Sequence, residues 1–353
     1  MKKAVVFGDG TPLPDEAMEA LVKYYGEHAC KYKWEPGKFV IVDNSVACHS
    51  REVFKGERKT FAAIGKGTKP VTDKTTHLVL HSGDKLPSVG LGLWKIPKPD
   101  CENAVYKAIE NGYRLLDGAC DYGNEKEVGD GIKKALDAGL CKREDLFLVS
   151  KLWHTFHRPE HVEEGCRKTL KDLGVDYLDL YLIHFPIALK YVPIDQCYPA
   201  EWMTTDSPSG KPEMIFDEGV TYAETYKAME QLVKKGLVRN IGCSNIGTTM
   251  MRQTLNGSEI KPAALQVEMH PYLSQERLLR MCREAGVQVM AYSSFGASSY
   301  VELGMTKQEE SLLEAPLIKE LAGKYGKSTA QILLRWGVQR GTVVIPKSTN
   351  PGR

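Results

Sequence analysis

The chain has 353 residues, enough for one large domain and a smaller one with ample apolar material for a core. Its 47 Lys and Arg residues nearly balance 45 Asp and Glu residues, so a formal charge of +2 argues against a nucleic-acid or membrane-surface partner. No apolar run approaches the roughly 20 residues that span a bilayer, and the start, MKKAVVFGDG, is a poor signal peptide. Nine scattered cysteines without a CxxC pair predict reduced thiols in a cytoplasmic protein.

The first 69 residues have a mixed pattern that differs from the rest of the chain. PDEAMEALVKYYGEH predicts a helix, while KFVIVDN and TFAAI predict strands near a turn marked by Pro and Gly at 35–37. Glycines and lysines at 65–69 are typical of a linker. We therefore expect a small α+β segment over residues 1–69 and a separate domain over residues 70–353.

From residue 76 the pattern alternates between strand and helix. A hairpin is predicted around Ser82–Asp84. Eight strand candidates with intervening helices predict an α/β fold of the (β/α)8 TIM barrel type. The predicted helices are 102–111, 125–138, 159–173, 222–235 and 275–285, several ending at a glycine. The predicted strands are 89–93, 113–117, 146–151, 177–184, 238–244, 264–268, 287–293 and 342–346.

Two features depart from a regular barrel. The loop 185–220 is long and rich in Pro, Asp and Ser, and a loop of that length at a barrel mouth is usually functional. The sequence also stops at Arg353, soon after the eighth strand, so we expect a barrel lacking the last helix. We expect this to weaken the cofactor site and relax substrate choice, or to make the chain fold poorly alone.

Four polar side chains, Asp117, Tyr122, Lys151 and His184, lie at or just beyond the ends of predicted strands. Strand ends of a parallel barrel converge on one mouth, where active sites are built. A tyrosine can protonate a carbonyl oxygen if a lysine stabilises its phenolate, a carboxylate holds that lysine, and a histidine orients the carbonyl. Singly, the aspartate could cap a loop, the lysine could be a solvated strand end, and the histidine could be a structural residue.

These residues occur within longer stretches that follow a known order. Residues 76–353 resemble the aldo-keto reductases, and most closely the xylose reductase-like aldose reductases. LIHFP, with Phe185 after the histidine, is similar to the xylose reductase form. The matching stretches are GLGLWK, LLDGACDYGNEKEVG, KREDLFLVSKLW, VDYLDLYLIHFPIALKYVPI, LVRNIGCSN, QVEMHPYL, AYSSFG and IPKS.

The resemblance implies that Tyr122 is the general acid, that Lys151 and Asp117 tune it, and that His184 orients the carbonyl. It also implies NADPH as the cofactor, with NADH as an alternative, although Thr349 in place of an asparagine weakens the inference of dual use. The implied substrate-binding residues are Trp94, Trp153, His184 and Phe185. The implied cofactor-binding residues are Ser244, Asn245, Gln266, Tyr292, Ser293, Phe295, Ser299, Glu302, Lys347, Ser348 and Arg353.

Two stretches of the first segment, FGDGTPLPDEAMEAL and WEPGKFVIVDNSVACHSREVFKGERK, carry a second resemblance. They are similar to the C-terminal part of the taurine dioxygenase and clavaminate synthase-like iron(II)/2-oxoglutarate enzymes, which implies a fragment of a double-stranded β-helix. By that resemblance His49 is a vestigial Fe(II) ligand and Arg58 a vestigial 2-oxoglutarate contact. No H-x-D or H-x-E motif precedes His49, so we expect no working metal site.

The sequence therefore predicts an NAD(P)H-dependent reductase that converts aldehydes and open-chain aldoses to alcohols and alditols. The expected partner is a small-molecule carbonyl substrate. Reduction of other carbonyls, such as aromatic aldehydes and ketones, is one alternative. A catalytically poor NADPH-binding barrel is another, and an iron-dependent oxygenase acting through the first segment is a third.

Overall fold

The computed structural model describes residues 76–204, 209–296, 298–301, 304–305, 307 and 311–350. These residues belong to the second of two units into which the chain divides, Pro70–Arg353. The interpretation of the first segment, with His49 and Arg58, lies outside the described residues, as do Glu302 and Arg353. Within the described part, no helix is long and apolar enough to cross a membrane.

Eight parallel strands form a barrel in sequence order, preceded by a two-stranded antiparallel hairpin. The barrel closes between its first and last strands, where a parallel bridge joins Val89 to Val344 and the Gly92 N–H donates to the Pro346 carbonyl at 2.9 Å. The hairpin strands are β1 (His77–Val79) and β2 (Lys85–Pro87). The barrel strands are β3 (Gly90–Gly92), β4 (Leu115–Asp117), β5 (Phe147–Leu152), β6 (Leu178–Ile183), β7 (Val238–Ser244), β8 (Ala264–Glu268), β9 (Gln288–Tyr292) and β10 (Val343–Val344).

The predicted (β/α)8 barrel is confirmed, and all eight predicted strands are present with ends within two residues of the prediction. Strands β5 and β6 are buried at every position, because a parallel barrel strand is covered by side chains inside and by helices outside. This burial explains why these strands are continuous apolar runs in the sequence rather than alternating ones.

Helices surround the barrel, and the five predicted ones are present. Three further long helices, α5, α8 and α9, were not predicted. The last of them carries a capping box between Ser328 and Gln331, an S-x-x-Q signal that is visible in the sequence. The helices are α1 (Lys98–Glu110), α2 (Glu125–Asp137), α3 (Pro159–Leu173), α4 (Tyr222–Lys234), α5 (Thr248–Gly257), α6 (Glu276–Glu284), α7 (Ser298–Val301), α8 (Pro316–Tyr325) and α9 (Thr329–Gln339).

The hairpin seals the N-terminal end of the barrel. Leu80 and Leu86 are buried and join the interior cluster that also contains Leu115 and Phe147. The Asn240 amide donates to the Asp84 carboxylate at 2.7 Å, which ties the hairpin turn to β7. Because this end is closed, the C-terminal ends of the strands form the open mouth of the barrel.

One glycine in the barrel wall predicts a sharp effect on stability. A Cβ on Gly242 in β7 would lie 2.8 Å from Leu182 Cδ2 and closer still to the Ala264 carbonyl oxygen. We expect Gly242→Ala to destabilise the fold by about 1–3 kcal/mol, since neighbouring strands must move apart. Urea denaturation measures the change.

The control is Gly323→Ala in α8, where a Cβ meets nothing within 4 Å. Alanine is the better helix former there, so this variant should be as stable as the wild type or up to about 1 kcal/mol more stable. Equal stabilities for the two variants would contradict the close strand packing at Gly242.

Candidate active site

A buried ammonium group lies at the centre of the polar cluster in the barrel. Lys151 Nζ donates to Asp117 Oδ2 at 3.1 Å, to the Gly118 carbonyl at 2.8 Å and to the Tyr122 hydroxyl at 3.1 Å. Lys151 is 0% exposed and Asp117 is 2% exposed. Three acceptors therefore satisfy the three protons of an ammonium group that water does not reach.

The local backbone explains how these groups meet. Asp117 ends β4, and Tyr122 ends one turn of 3₁₀ helix, Cys120–Tyr122, that follows it. Lys151 lies within β5, the neighbouring strand. The interpretation of Lys151 as a solvated strand end is therefore wrong, and Asp117 binds side chains of the cluster rather than merely capping a loop.

Burial dominates the electrostatics of Tyr122 in the site as it stands. It raises the pKa of Tyr122 to about 12, whereas the Lys151 ammonium acts in the opposite direction. Burial alone would lower the pKa of Lys151, but Asp117 and Tyr122 raise it above its usual value. Tyr122 is therefore protonated at neutral pH, and the buried ammonium beside it stabilises the phenolate that proton donation would leave.

His184 follows β6, and its ring centroid lies 6.0 Å from that of Tyr122 in an edge-on arrangement. Burial, followed by the charge of Lys151, lowers the pKa of His184 well below its usual range, so the imidazole is neutral. Its Nδ1 atom is buried and has no hydrogen-bond partner within the described residues. A neutral imidazole at this place can donate one hydrogen bond to a bound carbonyl oxygen.

A second polar cluster lies at the ends of β7, β8 and β9. The Ser244 hydroxyl donates to the backbone carbonyl of Gln266 at 2.9 Å. The side-chain amide of Asn245 donates to the backbone carbonyl of His184 at 2.9 Å. The Tyr292 hydroxyl donates to Asn245 Oδ1 at 2.7 Å. These contacts hold four of the predicted cofactor-binding residues together.

The Gln266 amide joins the two clusters, a link that sequence reasoning missed. Its Nε2 donates to Asp117 Oδ1 at 2.7 Å. Its side-chain carbonyl oxygen has no hydrogen-bond partner among the residues that the structure describes, so it can accept from a ligand amide. The residues of this cluster fit the carboxamide of a nicotinamide ring, which presents both donors and an acceptor.

The remaining predicted cofactor-binding residues whose side chains the structure describes lie after β9 and after β10. Ser293 follows β9 with a left-handed backbone, φ 50°, and Phe295 packs against the small cluster of Leu312, Ile318 and Leu333. Lys347 is exposed after β10, where Ser348 Oγ accepts from the Asn350 N–H at 3.1 Å. The Ser299 side chain lies outside the described residues.

Aromatic rings surround His184. Trp153 is fully buried, its indole N–H donates to the Ala200 carbonyl at 2.7 Å, and its ring centroid lies 5.5 Å from that of His184. Phe185 lies 4.9 Å from His184 by the same measure. Trp94 is 36% exposed, with Lys95 Nζ 4.5 Å from its ring centroid.

Sequence reasoning missed Trp202, which lies in the long loop after β6. Its ring centroid is 5.1 Å from that of Trp153 and 5.3 Å from that of Phe185. The available signal was an aromatic residue within a long loop at the barrel mouth. The loop therefore contributes a wall to the site, as its length predicted.

The neutral state of His184 is testable by NMR. In histidine-labelled protein, with the signal assigned by its loss in His184→Asn, the ring should stay neutral between about pH 8 and pH 5, where an unperturbed histidine titrates. Lys151→Met removes a repelling charge and should raise the pKa of His184. A wild-type midpoint near the usual value of about 6.5 would show that the described burial does not hold in solution.

Comparison with known proteins gives two family matches. Residues 88–353 match the aldo/keto reductase family, and residues 2–63 match the family of the taurine catabolism dioxygenases TauD and TfdA. The second match agrees with the resemblance found in the first segment. It covers a minor part of the chain.

Several relatives are similar over most of their length. The chain is 50% identical over 279 residues to the NADPH-dependent aldose reductase of Saccharomyces cerevisiae, covering 78% of this chain and 85% of the relative. It is 50% identical over 278 residues to the NADPH-dependent D-xylose reductase of Meyerozyma guilliermondii, covering 78% and 86%. The 4-dihydromethyl-trisporate dehydrogenase of Mucor mucedo is 50% identical over 281 residues, covering 79% and 86%.

A solved structure is similar as well. The aldose reductase from Schistosoma japonicum superposes with a TM-score of 0.70 at 39% identity, covering 79% of this chain and 84% of that one. The family match extends over most of the chain and coincides with the barrel that holds both polar clusters. The chain therefore belongs to the aldo/keto reductase family.

Proposed function

We propose that the barrel catalyses the NADPH-dependent reduction of aldehydes and open-chain aldoses to alcohols and alditols. The observation that carries the proposal is the buried Lys151 ammonium within 3.1 Å of both the Tyr122 hydroxyl and the Asp117 carboxylate. The names of the yeast relatives, an aldose reductase and a D-xylose reductase, support this substrate class.

Bound NADPH would supply a hydride to the carbonyl carbon. As negative charge develops on the carbonyl oxygen, the Tyr122 hydroxyl donates its proton to that oxygen. The resulting phenolate is stabilised by Lys151, whose ammonium is held by Asp117 in a site where water does not weaken the interaction. The neutral His184 imidazole donates a hydrogen bond that orients the carbonyl, and solvent later returns a proton to Tyr122.

The polar cluster at β7 to β9 is the proposed nicotinamide site. The side-chain carbonyl oxygen of Gln266 and the Ser244 and Asn245 side chains would hold the carboxamide, and the Tyr292 ring would stack on the nicotinamide. The positive charge of Lys347 would attract the 2′-phosphate that NADPH carries on its ribose and NADH lacks. NADPH is therefore the preferred cofactor and NADH the alternative. The proposed contacts to the rest of the cofactor are Ser293, Phe295, Ser299, Glu302, Ser348 and Arg353.

The proposed substrate pocket has an apolar wall. Trp153 and Phe185 supply aromatic surface around His184, Trp94 is the further proposed aromatic contact, and a wall of this kind suits aldehydes and ketones of several shapes. Reduction of other carbonyls is the second candidate function, and the 50% identity to a 4-dihydromethyl-trisporate dehydrogenase supports it. Comparing turnover of xylose, an aromatic aldehyde and a cyclic ketone separates the two.

We also propose that residues 1–69 are a fused fragment of a dioxygenase fold without independent activity, and that residues 70–353 form the reductase. The proposed compartment is the cytoplasm. Buried thiols support it, since all seven cysteines within the described residues are free and six of them are partly or fully buried. Consumption of 2-oxoglutarate with added Fe(II) would contradict the assignment of the first segment.

The first kinetic prediction concerns the proton donor. Tyr122→Phe removes the hydroxyl and leaves the ring, so kcat with xylose or glyceraldehyde should fall by about 10²–10⁴-fold, the usual contribution of a general acid. NADPH oxidation measured by absorbance gives the rates, and fluorescence titration should show a nearly unchanged Kd for NADPH. Activity that survives the substitution would contradict the role of Tyr122.

The second kinetic prediction concerns cofactor choice. Lys347→Met removes a positive charge and should weaken NADPH binding by about 1–2 kcal/mol, roughly tenfold, if that charge meets the 2′-phosphate. NADH lacks this phosphate and should bind with unchanged Kd. Lys324→Met in α8 is the matched control, and equal effects of both variants on NADPH binding would contradict the assignment.

A further inference from the structure

A buried carboxyl group lies outside the reacting cluster and has no part in the mechanism above. Glu125, the first residue of α2, is 5% exposed. It forms no ion pair within the part of the chain that the structure describes, although a buried ionised carboxylate is normally paired with a positive charge. Its surroundings are largely apolar, and they include Leu93, Leu116, Val128, Ile132, Leu148 and Leu173.

Two hydroxyl groups bind the carboxyl, one on each oxygen. The Ser150 hydroxyl donates to Glu125 Oε1 at 2.6 Å, and the Thr169 hydroxyl donates to Oε2 at 3.1 Å. Both partners are 0% exposed. Burial raises the pKa of Glu125 to about 7, and the two hydroxyls oppose that rise by stabilising the carboxylate.

The two hydrogen bonds differ in what they connect. Ser150 directly precedes Lys151 on β5, and alternation along the strand places Ser150 toward the helices and Lys151 toward the cluster. Thr169 lies on α3, and neither of the residues next to it in the sequence belongs to the reacting cluster. The short bond therefore joins the residue next to the buried lysine to the helix that begins just after Tyr122.

The connection from Glu125 back to Tyr122 is short and fixed. Gly123 lies between them with a left-handed φ of 66°. The Asn124 amide donates to the Leu93 carbonyl at 3.1 Å and to the Ile96 carbonyl at 3.2 Å, which anchors the same turn to the loop after β3. Movement of Glu125 relative to β5 would therefore displace the Tyr122 hydroxyl relative to Lys151.

We propose that Glu125 is a positioning residue: its hydrogen bond to Ser150 fixes the Tyr122 turn against β5 and so sets the distance from Lys151 Nζ to the Tyr122 hydroxyl. A lysine side chain is flexible and cannot fix that distance alone. The expected effect on kcat rests on the proposed reductase function. The expected effect on the distance from Lys151 Nζ to the Tyr122 hydroxyl does not.

Ser150→Ala and Thr169→Val are a matched pair, since each removes one hydroxyl from the same carboxyl group. Ser150→Ala should lower kcat by about 10-fold or more, as small misplacements of reacting groups do. Thr169→Val should keep kcat within about twofold of the wild type, although each of the two variants loses one buried hydrogen bond. Glu125→Ala should match Ser150→Ala, and Glu125→Gln, which keeps an acceptor for Ser150, should restore most of kcat.

A second readout needs no turnover. Crystal structures of the variants without ligand should show the distance from Lys151 Nζ to the Tyr122 oxygen lengthened beyond hydrogen-bonding range in Ser150→Ala and unchanged in Thr169→Val. An inactive wild type with that difference in distance would reject the reductase function and keep the positioning role. An active wild type in which both variants leave kcat and the distance unchanged, or lower kcat equally, would overturn the positioning role and keep the function.

Discussion

The burial of one positive charge constrains both the barrel and its chemistry. An ammonium group removed from water costs several kcal/mol unless acceptors replace the lost solvent. Lys151 has three acceptors, which come from the end of β4, from the residue after it, and from the turn that carries Tyr122. These segments must therefore keep their register with β5. Removing a partner of such a pair typically costs about 3–5 kcal/mol.

The same constraint makes the cluster chemically useful. Tyr122 holds its proton at neutral pH, because burial raises its pKa to about 12. The Lys151 charge opposes that rise. Its attraction for Tyr122 is strongest once the hydroxyl proton has moved to the carbonyl oxygen and left a phenolate. Hydrogen bonds extend this arrangement from Asp117 through Gln266 to the second cluster. Proton donor and cofactor-binding residues thus belong to one continuous network.

Sequence patterns predicted the barrel because its strands are buried on both faces and therefore read as apolar runs. They predicted the last strand over 342–346 but not its length, since only Val343–Val344 pair in β10. Helix α5, TTMMRQTLNG, was missed because it lacks both a side-chain cap and strong helix formers at its start.

The members of the cluster could be predicted from their places at strand ends, but their environment could not. The net direction of the Tyr122 pKa depends on how much solvent the folded chain excludes, which no local pattern reports. The contributions of Trp202 and Gln266 depend on contacts between segments far apart in the chain. Tertiary packing determines these properties, so the residue types could be predicted from the sequence but their electrostatics could not.

Hydride transfer to a carbonyl carbon is the central claim, and isotope labelling tests it most directly. The wild-type protein would be incubated with xylose and NADPH that carries deuterium at the transferable position of the nicotinamide. Mass spectrometry of the alditol should then show one deuterium on the carbon that had been the aldehyde. An alditol without deuterium, or no alditol from a folded protein that binds NADPH, would contradict the account.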